Sequence, residues 1–372
     1  MNNMRKVWIY GAGKRGSEAY RKYITYNNQQ NEFAGFVDSY KCGQICEGIR
    51  ISELKDVPRE DIIVIAVVDS EKIVQIYDLL REHGYNNVLL FDNKRDKHKT
   101  TFIDNCCIDC SNWGDAVLPQ AEIHISDYCN LNCRGCTHYS PIFPKRLPNT
   151  DERIHDIELL ASKFSHIVEF YLLGGEPFLN YDIEKYIIRA YELLPDTQLY
   201  IVTNGLLLPQ IPSSVFHTIN QYNVEISISE YRPTHQIIDK IKETLEQYDV
   251  RYQIRPYDRK QIFNKPLTTN AKSKMENMCI SDGCVNIWKG KIARCPSLMY
   301  VGELNQKYGL NFPTKGIYSL DGELSGRELK EKMKNKVLLC SHCVKNPIEW
   351  RCCGEKPKVS DFVEIEQGDE ES

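Results

Sequence analysis

The sequence predicts an α/β chain built on parallel sheets, and three observations predict it. Short apolar runs, VWIY at 7–10, IIVIAVV at 62–68 and VLLF at 88–91, alternate with longer helix-like stretches. That is the pattern of strands buried on both faces and joined by crossover helices. The alternation resumes with EIHIS (122–126), VEFYLL (168–173), QLYIVTNG (198–205), VEISIS (224–229) and RYQIR (251–255), again with helical stretches between. With 372 residues the chain is long enough for two or three domains with their own cores.

Composition removes several function classes. The formal net charge is −4, and residues 359–372 hold six acids and no base, so the rest of the chain is close to neutral. No basic stripe marks a nucleic-acid partner. The tail is too polar to build a core and is expected to be disordered. No apolar run is long enough to span a bilayer, and the N-terminus has no signal-peptide core, so a cytoplasmic enzyme is expected. The 15 cysteines bunch into short motifs within a long chain. Such clustering points to metal in a reducing compartment rather than to disulfides.

The expected organisation is a Rossmann-like sheet over 1–98, a linker over 99–118, a partial (β/α)6 TIM-like barrel over 119–275, a cysteine-bearing extension over 276–358 and the acidic tail over 359–372. In the first domain, Gly11, Gly13 and Gly16 form G-x-G-x-x-G between a strand and a helix, where a diphosphate could approach backbone N–H groups. Asp38 ends the second strand, where a carboxylate can take a ribose hydroxyl. The bland alternative is a tight strand-to-helix turn. IYGAG, GFVDS, Gly48 to Ile51 and the IIVIAV strand together resemble the N-terminal domain of sugar O-acyltransferases of the PglD and NeuD kind. That resemblance implies a bound nucleotide or nucleotide-linked sugar. In the linker, Cys106, Cys107 and Cys110 are expected to be ordinary free thiols.

The chemistry concentrates after EIHIS. Cys129, Cys133 and Cys136 form C-x3-C-x2-C. Three thiolates on a [4Fe–4S] cluster leave one iron free of protein ligands, whereas a zinc site or an electron-carrier cluster needs a fourth ligand. The loop resembles the radical S-adenosylmethionine (SAM) superfamily. The resemblance implies that SAM chelates the free iron and is reductively cleaved to methionine and a 5′-deoxyadenosyl radical, which takes hydrogen from a substrate. It also implies SAM contacts at the GGEP stretch Gly174, Gly175, Glu176 and Pro177, with Glu176 facing an ammonium, and further contacts at Thr203, Asn204, Ser227 and Ser229. Arg134-Gly135 stands before Cys136, where many relatives carry an aromatic.

Beyond the barrel, Cys279, Gly290-x4-Cys295 and Cys340-x2-Cys343 resemble SPASM/twitch extensions, implying an auxiliary [4Fe–4S] cluster held by Cys279 or Cys284 with Cys295, Cys340 and Cys343. The adjacent pair Cys352-Cys353 departs from that pattern, and a zinc-stabilised hairpin is the alternative for the same residues. The expected function is hydrogen abstraction from a sugar or nucleotide-linked small molecule in glycan or natural-product biosynthesis, with a flavodoxin or ferredoxin as reductant. A peptide-modifying enzyme and, in another class, a nucleotide-binding iron–sulfur redox sensor are the alternatives.

Overall fold

The computed structural model describes residues 5–26, 31–93, 101–257, 262–271, 279, 283–354 and 356–365. The chain divides into two compact units, Met1–Pro119 and Gln120–Ser372. Both are mixed α/β with parallel strand pairs.

Unit one carries β1 (Val7–Tyr10), α1 (Lys14–Thr25), β2 (Phe33–Val37), the small hairpin β3 (Ile45–Cys46) and β4 (Ile49–Arg50), β5 (Ile62–Ile65), α2 (Ser70–Glu82), β6 (Val88–Phe91), α3 (Phe102–Cys106) and β7 (Cys107–Asp109). The main sheet runs β2-β1-β5-β6-β7. Its pairs are parallel except the last, where β7 returns antiparallel to β6. The apolar runs become these strands because both faces are covered: Val7, Ile9, Phe36, Val64 and Phe91 share one core with Ala19 and Tyr23 of α1. Residues 101–118, expected as a linker, are ordered here. Phe102 and Cys106 join that core, and Trp113 is buried. An apolar aromatic content of this kind is what the linker assignment undervalued.

Unit two begins with β8 (Val117–Ser126), whose first residues straddle the division. It continues with α4 (Thr150–Lys163), β9 (His166–Gly174), α5 (Ile183–Leu193), β10 (Gln198–Thr203), α6 (Ser213–Gln221), β11 (Glu225–Ser229), α7 (Arg232–His235), α8 (Ile238–Gln247) and β12 (Tyr252–Arg255). Then come β13 (Ile262–Thr268), the hairpin β14 (Asn286–Trp288) and β15 (Lys291–Ala293), α9 (Pro296–Tyr308), β16 (Tyr318–Ser319), α10 (Gly326–Lys334), β17 (Cys343–Glu349) and β18 (Val363–Glu364). An eight-stranded sheet runs β12-β11-β10-β9-β8-β14-β15-β16, and a smaller one runs β17-β13-β18.

Two expectations change here. The sixth parallel strand beside β8 is β14, which arrives from a hairpin and not from a further βα unit. That hairpin turns at Lys289 and Gly290, both at positive φ (50° and 70°), the backbone that two-residue hairpin loops need. The tail is also not disordered from residue 359. Phe362 and Val363 are fully buried, and β18 lies parallel to the end of β13. Two apolar residues inside an acidic stretch suffice to anchor it, and composition averaged over the tail hid them. Residues 366–372 of the tail lie outside the described residues. No helix among the described residues is long and apolar enough to cross a membrane.

Candidate active site

Strand β8 leads directly into the cysteine loop. The turn from Asn132 to Tyr139 passes through three left-handed residues, Asn132, Gly135 and Tyr139 (φ 49°, 72° and 52°). Each thiol has N–H donors beside it. Cys129 Sγ accepts from the Leu131 amide (3.4 Å) and lies 3.7 Å from Asn204 Nδ2. Cys133 Sγ accepts from Trp350 Nε1 at 3.1 Å. Burial raises the Cys136 thiol, but hydrogen bonds from the His138 side chain and from the Ser140 and His138 amides outweigh it and hold the thiol below its ordinary range. Burial pushes Cys129 up to about 12, helped by the Glu176 charge, and drives Cys133 well above the ordinary value.

These observations fit the three-thiolate cluster implied by the sequence. Buried sulfurs resist ionisation unless a cation takes them, and N–H donors aimed at sulfur are the partners a cluster thiolate uses. Among the described residues no three His, Cys, Asp or Glu side chains converge tightly enough to hold a single metal ion. A cubane spaces its thiolates more widely, because each binds a different iron.

The GGEP stretch packs against this loop through its backbone. A side chain at Gly174 would place its first carbon 2.0 Å from the Ser126 carbonyl oxygen, and one at Gly175 would place it 2.1 Å from that of Tyr128. The Gly175 amide donates to Ser126 O (2.7 Å) and the Glu176 amide to Tyr128 O (3.1 Å). The glycines therefore admit the chain's own cysteine loop at contact distance.

Glu176 is fully buried, and three protein donors meet its carboxylate: Thr203 Oγ1 at 2.7 Å, the Asn204 amide at 2.9 Å and the Phe178 amide at 3.1 Å. Asn204 Nδ2 donates onward to Asn130 Oδ1 (2.7 Å), inside the loop. The ends of β9 and β10 and the cysteine loop are thus tied through one carboxylate. Ser227 and Ser229 lie on β11 and are half-buried, and Ser229 Oγ accepts from Arg255 Nη2 at 3.1 Å.

Burial pushes the Glu176 carboxyl up to about 7 against its three donors. A native pKa above the unfolded one means the folded state holds the proton longer, so this group's contribution to stability falls as pH rises from about 4.5 through 7. Glu176→Gln turns one acceptor oxygen into an NH2 that faces an N–H or O–H donor. The expected loss is about 1–3 kcal/mol of stability. Urea midpoints should show it, and the gap to wild type should narrow between pH 5 and pH 8.

A segment that motif spacing did not reveal completes the loop's surroundings. Residues 350–354 and 356–361 carry contacts to the cysteine loop: the Arg134 amide donates to Arg351 O, the Cys353 amide to Asn132 O and the Gly135 amide to Asp361 O, each at 2.8 Å. Cys133 and Cys352 face each other in an antiparallel bridge. The Trp350 ring lies 5.5 Å from that of Tyr231. The one available signal was the WRCC run itself, which matches no ligand spacing.

The C-terminal cysteines separate in space. After burial, the charges acting on Cys343 come from Cys295, Cys340 and Cys279, and those acting on Cys295 include Cys279 and Cys340. Burial, the charge and hydrogen bond of Glu122, and the Cys295 charge raise Cys284, against a hydrogen bond with Gln120 that lowers it. Cys279, Cys295, Cys340 and Cys343 thus lie within electrostatic reach of one another, and Cys284 lies within reach of Cys295.

In unit one the three glycines divide. A side chain at Gly16 would meet Gly11 O at 1.8 Å and one at Gly11 (φ 111°) would meet Ala66 O at 2.8 Å, so both serve close backbone packing. Gly13 is different: its added carbon would meet only Lys41 Nζ, at 3.7 Å. Beyond the strand ends opens a cleft of about 280 Å3 lined by Tyr10, Val37, Asp38, Ser39, Cys42, Glu53 and Leu54. Asp38 accepts the Ala12 amide on Oδ2 (2.9 Å) and the Tyr40 and Lys41 amides on Oδ1 (2.9 and 3.2 Å). A carboxylate offers about four lone-pair positions, so Oδ2 keeps one for a ligand hydroxyl.

Residues 123–255 match the Radical SAM superfamily. Among curated proteins, the GTP 3′,8-cyclase of Sulfurovum sp. (strain NBC37-1) is 24% identical over 32% of this chain and 37% of its own. That of Sulfurimonas denitrificans is 30% identical over 25% of this chain and 30% of its own. The chain thus spans about a third of the length of these relatives. Among solved structures, BtrN in complex with AdoMet and 2-DOIA covers 65% of this chain and 97% of its own at 13% identity and a TM-score of 0.36. Native anSMEcpe with bound AdoMet and Cp18Cys peptide covers 36% of this chain and 42% of its own at 17% identity and a TM-score of 0.29. The segment that carries the cysteine loop, GGEP and the ends of β10 and β11 is a radical SAM superfamily domain. That superfamily implies a [4Fe–4S] cluster and SAM.

Proposed function

We propose that the enzyme abstracts hydrogen from a sugar or nucleotide-linked small molecule. In this reading Cys129, Cys133 and Cys136 hold the cluster, and SAM sits among Gly174, Gly175, Glu176, Pro177, Thr203, Asn204, Ser227 and Ser229. When bound, the cluster and SAM supply radical hydrogen-abstraction chemistry. The chain's own part is positional. Glu176 locks Asn204 and Thr203 to the loop, and burial of the thiols keeps water away from them. Cys279, Cys295, Cys340 and Cys343 would hold one auxiliary [4Fe–4S] cluster, and a flavodoxin or ferredoxin would supply electrons.

The observation that carries the substrate class is the open position at Gly13, next to Ala12, whose amide Asp38 accepts, with a spare lone pair on Asp38, which itself lines the cleft, for a hydroxyl. Relatives named for a reaction of GTP agree with a nucleotide-bearing substrate. The test is calorimetry on the full chain with UDP-, GDP-, CMP- and dTDP-sugars, alongside anaerobic assays of 5′-deoxyadenosine formation. Binding of one nucleotide-sugar, with faster SAM cleavage in its presence, is expected. No binding to any of them removes the sugar assignment and returns the peptide-modifying alternative.

Gly13→Val sharpens the test. Gly13 has an extended backbone (φ −104°, ψ −163°) that valine adopts readily, so the fold should hold. The side chain fills the space a phosphate needs. Nucleotide binding should be abolished while SAM cleavage without substrate continues at the wild-type rate.

A further inference from the structure

We propose that Trp350 is a positioning residue of the iron–sulfur site, its indole N–H fixing the Cys133 sulfur and setting the reduction potential of the cluster held there. This rests on the assignment of Cys129, Cys133 and Cys136 as cluster ligands. Trp350 follows directly on β17 and lies outside the superfamily segment 123–255. Its Nε1 stands 3.1 Å from Cys133 Sγ, within donor reach of sulfur.

The contact is built in rather than incidental. The backbone next to it is pinned to the loop by the Arg134 amide to Arg351 O and the Cys353 amide to Asn132 O, both 2.8 Å. The ring is backed by Tyr231 at 5.5 Å between centroids, tilted by 30°. Further along, Asp361 takes the Gly135 amide on its carbonyl (2.8 Å), and its carboxylate lies 3.6 Å from Arg134 Nε. These contacts leave the indole little freedom to leave the sulfur.

The consequence follows from where the electron goes. One-electron reduction of the cluster adds negative charge that spreads onto its thiolate sulfurs, and an N–H donor stabilises the more negative state. The Trp350 donor therefore raises the potential and makes the cluster easier to reduce. It also couples the C-terminal segment around Trp350 to the loop.

The experiment uses the anaerobically reconstituted full chain, following the cluster whose electron paramagnetic resonance signal changes on adding SAM. Trp350→Phe keeps an aromatic ring but has no donor. It should retain wild-type iron content and show a midpoint potential shifted to more negative values. Trp350→His, which keeps a ring N–H, should restore part of the shift. An unchanged potential in Trp350→Phe with full iron content overturns the proposal, as does loss of this cluster from both variants, since ring packing alone would then explain the contact. Failure of the ligand assignment itself is read separately, from iron in a Cys129, Cys133 and Cys136 triple-alanine variant that equals wild type.

Discussion

Alanine at any one of Cys129, Cys133 or Cys136 is expected to remove one cluster's iron and all SAM cleavage, while the iron attributed to Cys279, Cys295, Cys340 and Cys343 remains. The argument is one of ligand number. Three thiolates already leave one iron without a protein ligand, and losing another exposes a second iron to solvent and oxidation. Buried thiols also depend on the cluster for ionisation: Cys129 and Cys133 are raised by burial, so an empty site reverts to protonated sulfur. Cys133→Ala is the hardest case, because Cys352 faces it across an antiparallel bridge. A cross-strand neighbour lies close enough to touch, yet its backbone is paired to the loop through Cys353 N and Arg351 O and cannot advance into the vacated ligand position. Iron and acid-labile sulfide per chain, with 5′-deoxyadenosine as the activity readout, check all three variants. Wild-type iron in any one of them would dismiss that residue as a ligand.

How much of this was legible depends on whether an interaction is local in sequence. The cysteine loop and GGEP each occupy a few consecutive residues at strand ends, and such patterns survive in the sequence. The alternation that predicted parallel strands did so for the same reason, since VWIY, IIVI and VLLF each report their own burial. Pairings across long separations left no trace. Trp350 reaches Cys133 across 217 residues, and nothing in either neighbourhood announces the other. Glu176 was found by its motif, and its long-range partners were not. The motif marks the carboxylate but gives no sign of the Thr203 and Asn204 donors that reach it from the next strand.

The same distinction governs the glycines, and Gly175→Ala should be among the most damaging single-methyl changes in the protein. The new carbon would lie 2.1 Å from Tyr128 O and 2.7 Å from the Cys129 amide nitrogen, both backbone atoms that no side-chain rotation can move. Relief requires β9's end to separate from the cysteine loop. That separation breaks the Gly175 amide to Ser126 O bond (2.7 Å) and the Glu176 amide to Tyr128 O bond (3.1 Å), each with one buried partner, Ser126 or Glu176. Two part-buried hydrogen bonds and the overpacking strain together suggest a loss of about 3 kcal/mol. Gly13→Val, which adds more atoms, should cost far less, because only a flexible lysine tip lies near it. Chemical denaturation of the two variants side by side decides the point. If Gly175→Ala unfolds at the wild-type midpoint, the close approach of GGEP to the loop does not hold the site together. With the fold intact but weakened, the expected signature is loss of reconstituted iron before loss of secondary structure, since Cys129 is the residue the displaced backbone carries with it.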